Sequence, residues 1–219
     1  MNIQSAVQQK LKRLILVLGT VGCLVSASFV FSATPDPLSM LRSVTDNVMQ
    51  ELRAHSQEVR QNSNKLYALV DHLILPHVDF SEMARWVVGR SAWKSADDAT
   101  QSAFIAEFKT MVVRSYARSL LEYTDQKIEF LPLRGAIGDK QRIQVLSLIK
   151  ENGKDPIHMD YHLIRDGDAW KVYDIIVEGV SLMQGYRAQF ADDIKQGGLK
   201  AAIARMHKHN TQRKSSSRG

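Results

Sequence analysis

The chain has 219 residues, of which 44% are apolar and 24% are charged; this suits one domain or at most two small ones and excludes both a disordered chain and a multi-span membrane protein. The formal net charge is +6, and Lys10, Lys12 and Arg13 supply half of it within a first stretch of 33 residues that contains no acid. The remainder carries only +3, which is too mild and too dispersed to indicate a nucleic-acid-binding protein, so we expect no nucleic acid among the partners.

The N-terminus has the residue order of a secretory signal. After the basic residues the chain runs from Leu14 to Phe31 without a charge and then reaches small residues. We predict that residues 1–33 are a signal peptide and that the mature chain begins between residues 28 and 34. The apolar run also reaches the lower length limit of a membrane-spanning helix, so an uncleaved anchor stays as the alternative. Cys23 is the only cysteine, and its removal with the signal would exclude disulfides and zinc-thiolate sites.

Amphipathic patterns predict helices in the first half of the mature chain. Apolar residues recur at three- and four-residue steps over residues 36–60 and again over residues 65–75. Asp79, followed three residues later by a glutamate, resembles a capping box and predicts a short helix over residues 79–88. A fourth and longest helix begins near Asp97.

From Gln126 onward the apolar period changes from helical to alternating. We predict strands over residues 128–130, 142–150, 157–163 and 169–177, followed by helices over residues 182–195 and 199–207. Helices before and after a meander of strands predict an α+β fold, with about four antiparallel strands packed against helices. More apolar residues are available than one inner sheet face can hold, so we expect some of them to line an apolar cavity.

We assign residues 34–208 to a single domain. Residues 209–219 are polar and basic, without core-forming side chains, and we predict that they are a disordered basic tail. No acid follows Asp193, so this basic end is interpreted either as a solvated, frayed terminus or as a segment attracted to anionic lipid headgroups.

Two groups of residues resemble catalytic or metal sites but have simpler explanations. His158, Asp160 and His162 share one face of a predicted strand, yet the backbones of the two histidines stand roughly 13 Å apart, so we expect a solvated face and no metal. Ser181 lies between a strand and a helix but lacks the Gly-x-Ser-x-Gly pattern of a nucleophile. Gln184 three residues later favours a helix cap, in which case Ser181→Asp should be tolerated.

No phosphate-binding loop, dinucleotide fingerprint or paired carboxylates for acid-base catalysis occur in the sequence. We therefore predict that the protein is not an enzyme and needs no cofactor.

The segment from Ile175 to Leu182, followed by Tyr186-Arg187, resembles the signature of the MlaC family, also called the toluene-tolerance auxiliary family. The resemblance continues upstream in residues 76–80, in Gly89 with Trp93, and in residues 101–108. It covers nearly all of the mature chain.

The resemblance implies a soluble carrier in the periplasm that shuttles phospholipid between an outer-membrane lipoprotein complex and an inner-membrane ABC lipid transporter. It also implies a deep apolar pocket for acyl chains, in agreement with the surplus of apolar faces. Two alternatives stay open: a hopanoid-associated lipid-binding protein, and an envelope scaffold protein whose apolar faces only fill a core.

Helical and strand periodicity select the residues that we predict to line the lipid pocket from both layers. They are Phe108, Val112 and Tyr116 of the long helix, and Val145, Met159, Tyr161 and Val172 of the sheet.

Overall fold

The protein has a helical first half, an antiparallel sheet and a long C-terminal helix. A computed structural model describes residues 36–122 and 126–216, with side chains through residue 212. The predicted signal peptide and the last three residues of the predicted tail lie outside this part of the chain. Among the described residues, no helix combines the length and the apolar character that a bilayer-spanning segment requires.

The first half contains six α-helices and two 3-10 segments within the described residues. They are α1 (Pro37–Ala54), α2 (Ser56–Gln61), α3 (Ser63–Leu73), a 3-10 turn (Leu75–His77), α4 (Phe80–Val88), α5 (Arg90–Ser95), α6 (Asp98–Tyr116) and a second 3-10 segment (Ala117–Glu122).

Aspartate caps begin three of these helices. The side chain of Asp79 accepts a hydrogen bond of 2.8 Å from the amide of Glu82, which confirms the predicted start of α4. Asp36 and Asp97 accept equivalent bonds at the starts of α1 and α6. The predicted first helix is in fact two, because the backbone at His55 leaves the helical region, with φ −117° and ψ 26°.

The sheet has five antiparallel strands in the order β1-β2-β3-β4-β5 within the described residues, one more than predicted. They are β1 (Lys127–Phe130), β2 (Arg142–Lys150), β3 (Ile157–Asp166), β4 (Ala169–Val177) and β5 (Val180–Ser181). The additional strand exists because Glu178 and Gly179 both adopt positive φ, 49° and 79°, as a two-residue hairpin turn requires. A strand of only two residues has no periodicity that a sequence could reveal.

The C-terminal helix α7 (Leu182–Ser216) joins the two predicted helices across a kink at Gly198, where φ is 63°. It also corrects the predicted disordered tail, because the helix continues through residues 209–216. Asn210 is buried, and its amide nitrogen donates a hydrogen bond of 2.6 Å to the carboxylate of Glu107 on α6. A polar residue is therefore ordered here by a polar partner, which a search for core-forming residues overlooks.

Buried apolar side chains form three clusters within the described residues. The first cluster joins α4, α5, α6 and α7 and includes Phe104, Phe108 and Phe190. The second joins the sheet to α1 through Val145, Leu163, Trp170, Val172 and Leu41, with Phe130 beside them. The third lies among the first three helices, the 3-10 segments and α6, around Leu52, Leu66 and Val70.

Candidate functional site

One face of the sheet carries an almost continuous apolar surface, which we call the apolar sheet face. Directly paired residues of antiparallel strands lie on the same face, and the register places Val145 opposite Tyr161, and Tyr161 opposite Ile175. The full set is Ile128, Phe130, Ile143, Val145, Ile149, Ile157, Met159, Tyr161, Leu163, Trp170, Val172, Ile175 and Val177.

The described residues cover this face only in part. Leu41 of α1 is buried against it, and Leu38, Leu133 and Ile137 pack at its margin. Seven apolar side chains of the face stay half-buried: Ile128, Ile143, Ile157, Met159, Tyr161, Ile175 and Val177. A contiguous, partly covered apolar surface is typical of a site for an apolar ligand or partner.

Two polar side chains on the apolar sheet face, Ser147 and Tyr161, have partners within the protein. Ser147, the one polar residue among those of β2 that lie on this face, donates a hydrogen bond of 2.7 Å to the backbone oxygen of Met159. The Tyr161 hydroxyl lies 3.1 Å from the sulfur of Met159, and its ring packs against Phe130 with centroids 5.8 Å apart. Burial raises the pKa of the Tyr161 phenol to about 12, so the group is uncharged at neutral pH. Ser147 and Tyr161 thus present no charge to a ligand; the charge on this face is the Arg165 guanidinium near the end of β3, which packs over the ring of Trp170 at 5.1 Å.

The four sheet residues of the predicted pocket share this face, but they differ in burial. Val145 and Val172 are 1% and 6% exposed and belong to the second cluster, whereas Met159 and Tyr161 are half-buried. Only the latter pair therefore has surface that an added molecule can contact without displacing neighbours.

The three helix residues of the predicted pocket do not lie on the apolar sheet face, and their contact with lipid stays a prediction. Phe108 and Val112 belong to the first cluster, which Ile164 joins. Leu163, one residue before Ile164, belongs to the second cluster, so the two clusters lie on opposite faces of the sheet. Tyr116 is 42% exposed.

Aromatic packing explains why α6 turns its apolar residues away from the apolar sheet face. The rings of Phe108 and Tyr186 meet edge to face with centroids 5.1 Å apart, and Tyr116 contacts the same Tyr186 ring at 6.5 Å. Periodicity identifies which residues of a helix are buried but not which neighbour buries them. The sequence therefore could not show that α7 is the element that covers Phe108.

Sequence reasoning also missed residues that bound the apolar sheet face. The sequence places Leu41 only on an amphipathic helix, and it gives no assignment to Leu133 and Ile137, since they stand in a connection without regular period. Their isolated apolar character among turn residues is the one signal that marks them.

Residues of the segment from Ile175 to Leu182 form hydrogen bonds that stabilise the backbone around Glu178. The carboxylate of Glu178 accepts a hydrogen bond from the amide of His158, and its own amide donates to the oxygen of His158 at 2.9 Å. Ser181 accepts a bond of 3.1 Å from the amide of Gln184, which confirms the predicted cap. Ser181 is 8% exposed and donates to Asp174, so its hydroxyl already has partners on both sides.

The side chains of His162 and Asp160 lie near other polar groups. The Nδ1 of His162 is 4.0 Å from Asp174, and Asp160 is held instead by Gln144 at 3.0 Å. Within residues 36–122 and 126–216, no three histidine, cysteine, aspartate or glutamate side chains converge in a way that could hold a metal ion.

Two curated proteins are similar to this chain in sequence. A curated relative from Haemophilus influenzae, the intermembrane phospholipid transport system binding protein MlaC, is 26% identical over 82% of this chain and 85% of its own length. The toluene tolerance protein ttg2D of Pseudomonas putida is also 26% identical, over 84% of this chain and 85% of its own.

A solved structure is similar as well. The phospholipid-binding protein from Ralstonia solanacearum, determined in complex with a phospholipid, is 30% identical and superposes with a TM-score of 0.73 over 81% of this chain and 98% of its own. The family model described as MlaC protein matches residues 42–208, which span α1 to α7. The chain therefore belongs to the MlaC protein family.

Proposed function

We propose that this chain is a periplasmic phospholipid carrier that binds acyl chains against the apolar sheet face. The observation that carries the proposal is the set of seven half-buried apolar side chains on that one face. A partly covered surface built almost entirely from apolar side chains suits hydrocarbon chains, whose transfer from water yields about 0.8 kcal/mol per methylene. The phospholipid bound to the similar Ralstonia protein supports the same ligand class.

Within this proposal, Met159 and Tyr161 contact the acyl chains directly. Val145 and Val172 lie beneath them as the floor of the site, since both are almost fully buried by neighbours. Phe108, Val112 and Tyr116 stabilise the helices on the opposite face. The lipid thus lies between the sheet and the elements that border it, α1 and the β1–β2 connection.

Energetics constrain the transport step. Two acyl chains with about 30 methylenes gain about 24 kcal/mol on leaving water, but a bilayer already supplies nearly all of that gain. Transfer between membrane and carrier is therefore close to balanced, and the direction has to come from partners. We propose that these partners are an inner-membrane ABC lipid transporter complex and an outer-membrane lipoprotein complex; the Haemophilus relative is named as part of an intermembrane phospholipid transport system.

Native mass spectrometry of the protein released from cell envelopes tests the function. We expect a protein peak with phospholipid retained, at a mass that lacks the first 27 to 33 residues. A lipid-free protein that also takes up no phospholipid from vesicles would favour an envelope scaffold. Retention of a hopanoid in place of phospholipid would indicate a hopanoid-binding protein.

A further inference from the structure

A cleft of about 310 Å³ lies beside the apolar sheet face, between the β1–β2 connection and the first half of β2. Its apolar lining includes Leu133, Ile137 and Ile143, the same side chains that border the second cluster. The cleft and the apolar sheet face therefore share a wall, and a molecule lying on one can extend into the other.

The cleft is cationic. Arg134, Lys140 and Arg142 line it, and no carboxylate does. Arg142 is 2.5 Å from the carboxylate of the buried Glu82, which it shares with Arg85 at 3.2 Å, so Arg142 is held by a partner outside the cleft. Asp139 is exposed and does not belong to the lining.

Arg134 and Lys140 supply the charge that is left over. Both side chains are exposed, and neither forms an ion pair with a carboxylate in the part of the chain that the structure describes. Two cations without a carboxylate partner thus line the cleft together with apolar side chains, and this combination matches an amphiphile with an anionic head.

We propose that this cleft receives the headgroup of an anionic phospholipid while the acyl chains lie on the apolar sheet face. The inference rests on the proposed carrier function and adds a headgroup preference to it. A volume of 310 Å³ is at the low end for ligand pockets, so it suits a headgroup and not a whole phospholipid. A phosphate diester without a compensating amine satisfies Arg134 and Lys140, whereas the amine of a zwitterionic headgroup opposes them.

The size of the preference follows from the exposure of both cations. Exposed ion pairs contribute modestly and are screened by salt, so we expect each cation to favour the anionic lipid by about twofold to fivefold at low ionic strength. The preference should fall as salt is added, while the total amount of bound lipid should not.

A competition experiment tests the headgroup site. Delipidated protein is incubated with vesicles containing equal phosphatidylglycerol and phosphatidylethanolamine, re-isolated, and its bound lipid is quantified by mass spectrometry. We expect the wild type to be enriched in phosphatidylglycerol, and Arg134→Gln combined with Lys140→Gln to lose that enrichment at unchanged total lipid and melting temperature. The matched control, Arg90→Gln with Lys94→Gln, removes the same two charge types from exposed positions of α5 and should keep the enrichment.

The outcomes separate the cleft from the carrier function. An unchanged lipid ratio in the cleft variant, or an equal loss in the α5 control, overturns the headgroup site and leaves the carrier intact. Calorimetric binding of inorganic phosphate that disappears in the cleft variant without any change in lipid ratio assigns the cleft to a free anion and also overturns the proposal. A wild type that takes up neither phospholipid contradicts the carrier function itself.

Discussion

Ser181 and Asp174 share a buried hydrogen bond, in which the serine hydroxyl donates to the carboxylate over 2.6 Å. The other carboxylate oxygen of Asp174 accepts from the amide of Met183 at 3.2 Å. Because the Ser181 hydroxyl also accepts from Gln184, the pair links β4 to the first turn of α7. The cap is therefore one part of a buried polar connection between sheet and helix.

Removing the hydroxyl should weaken this connection. Ser181→Ala loses the cap and leaves the buried Asp174 with one partner fewer, so we expect the free energy of unfolding to fall by about 1 to 3 kcal/mol. Urea denaturation measures the change, and bound phospholipid should stay measurable. Ser102→Ala on the exposed side of α6 is the control and should change stability by less than about 0.5 kcal/mol.

Ser181→Asp should be worse than alanine, in contrast to the expectation from capping alone. Aspartate is a good cap, but here it places a second carboxylate beside the buried Asp174, with no hydroxyl to donate between them. We expect a larger loss of unfolding free energy than in Ser181→Ala at neutral pH. Stability of Ser181→Asp equal to the wild type would contradict the role of the Asp174 hydrogen bond.

Tyr161 should make the protein less stable as the pH becomes alkaline. Burial raises the pKa of its phenol from 10.0 to about 12, so the unfolded state releases the proton first as the pH rises. Its contribution is fully present below pH 10.0 and is lost as the pH rises through about 12, by about 3 kcal/mol in total. Other tyrosines and lysines titrate in the same range, so the quantity to measure is the difference in unfolding free energy between wild type and Tyr161→Phe. The unfolding free energy of the wild type minus that of Tyr161→Phe should fall as the pH rises above 10.0. A difference that does not change with pH would contradict burial of this hydroxyl.

The extent of the α7 helix can be tested by truncation. Ending the chain after His209 removes Asn210, which donates to both the backbone oxygen and the carboxylate of Glu107, and which accepts from Arg114. Leaving Glu107 short of partners should cost about 1 to 3 kcal/mol. Ending the chain after Gln212 keeps these contacts and should cost less than about 0.5 kcal/mol.

Acid should reduce the difference between the two truncations. Burial opposes ionisation of Glu107, but hydrogen bonds with His207 and Asn210 outweigh it and lower the pKa of the carboxyl below 4.5. A depressed pKa contributes stability above the unfolded value, and this contribution is lost as the pH falls through the folded pKa. The two truncated proteins should therefore approach each other in stability below pH 4.5. Equal stability at neutral pH would contradict an ordered Asn210.

Local patterns predicted the elements well and their mutual placement poorly. The caps at Asp79 and Ser181 depend on side chains within three residues, so the sequence contains the whole interaction. The alternation of Met159 and Tyr161 likewise assigns them to one face of β3. Which face α6 covers depends instead on contacts of Phe108 with a ring in α7, far along the chain, and no local period encodes that choice.

Larger side chains at the buried sheet residues should destabilise the protein by overpacking. Val145 is 1% exposed and Val172 is 6% exposed, so a tryptophan at either position overpacks the second cluster. We expect Val145→Trp and Val172→Trp each to lower the free energy of unfolding by about 1 to 3 kcal/mol. Thermal melts of delipidated protein check this, and an unchanged melting temperature in either variant would indicate unfilled space beneath the face.

Met159 and Phe108 provide the comparison that locates the lipid. Met159 is half-buried on the apolar sheet face, so the ring in Met159→Trp can occupy the space proposed for an acyl chain. We expect this variant to keep the melting temperature of the delipidated protein while the phospholipid recovered per protein falls several-fold. Phe108 is completely buried on the opposite face, and Phe108→Leu should lower the unfolding free energy by about 1 to 2 kcal/mol while lipid per folded protein stays unchanged. Lipid extraction with parallel thermal melts measures both quantities in both variants. Lipid loss in Phe108→Leu, with normal lipid in Met159→Trp, would indicate that the acyl chains bind on the α6 side of the sheet.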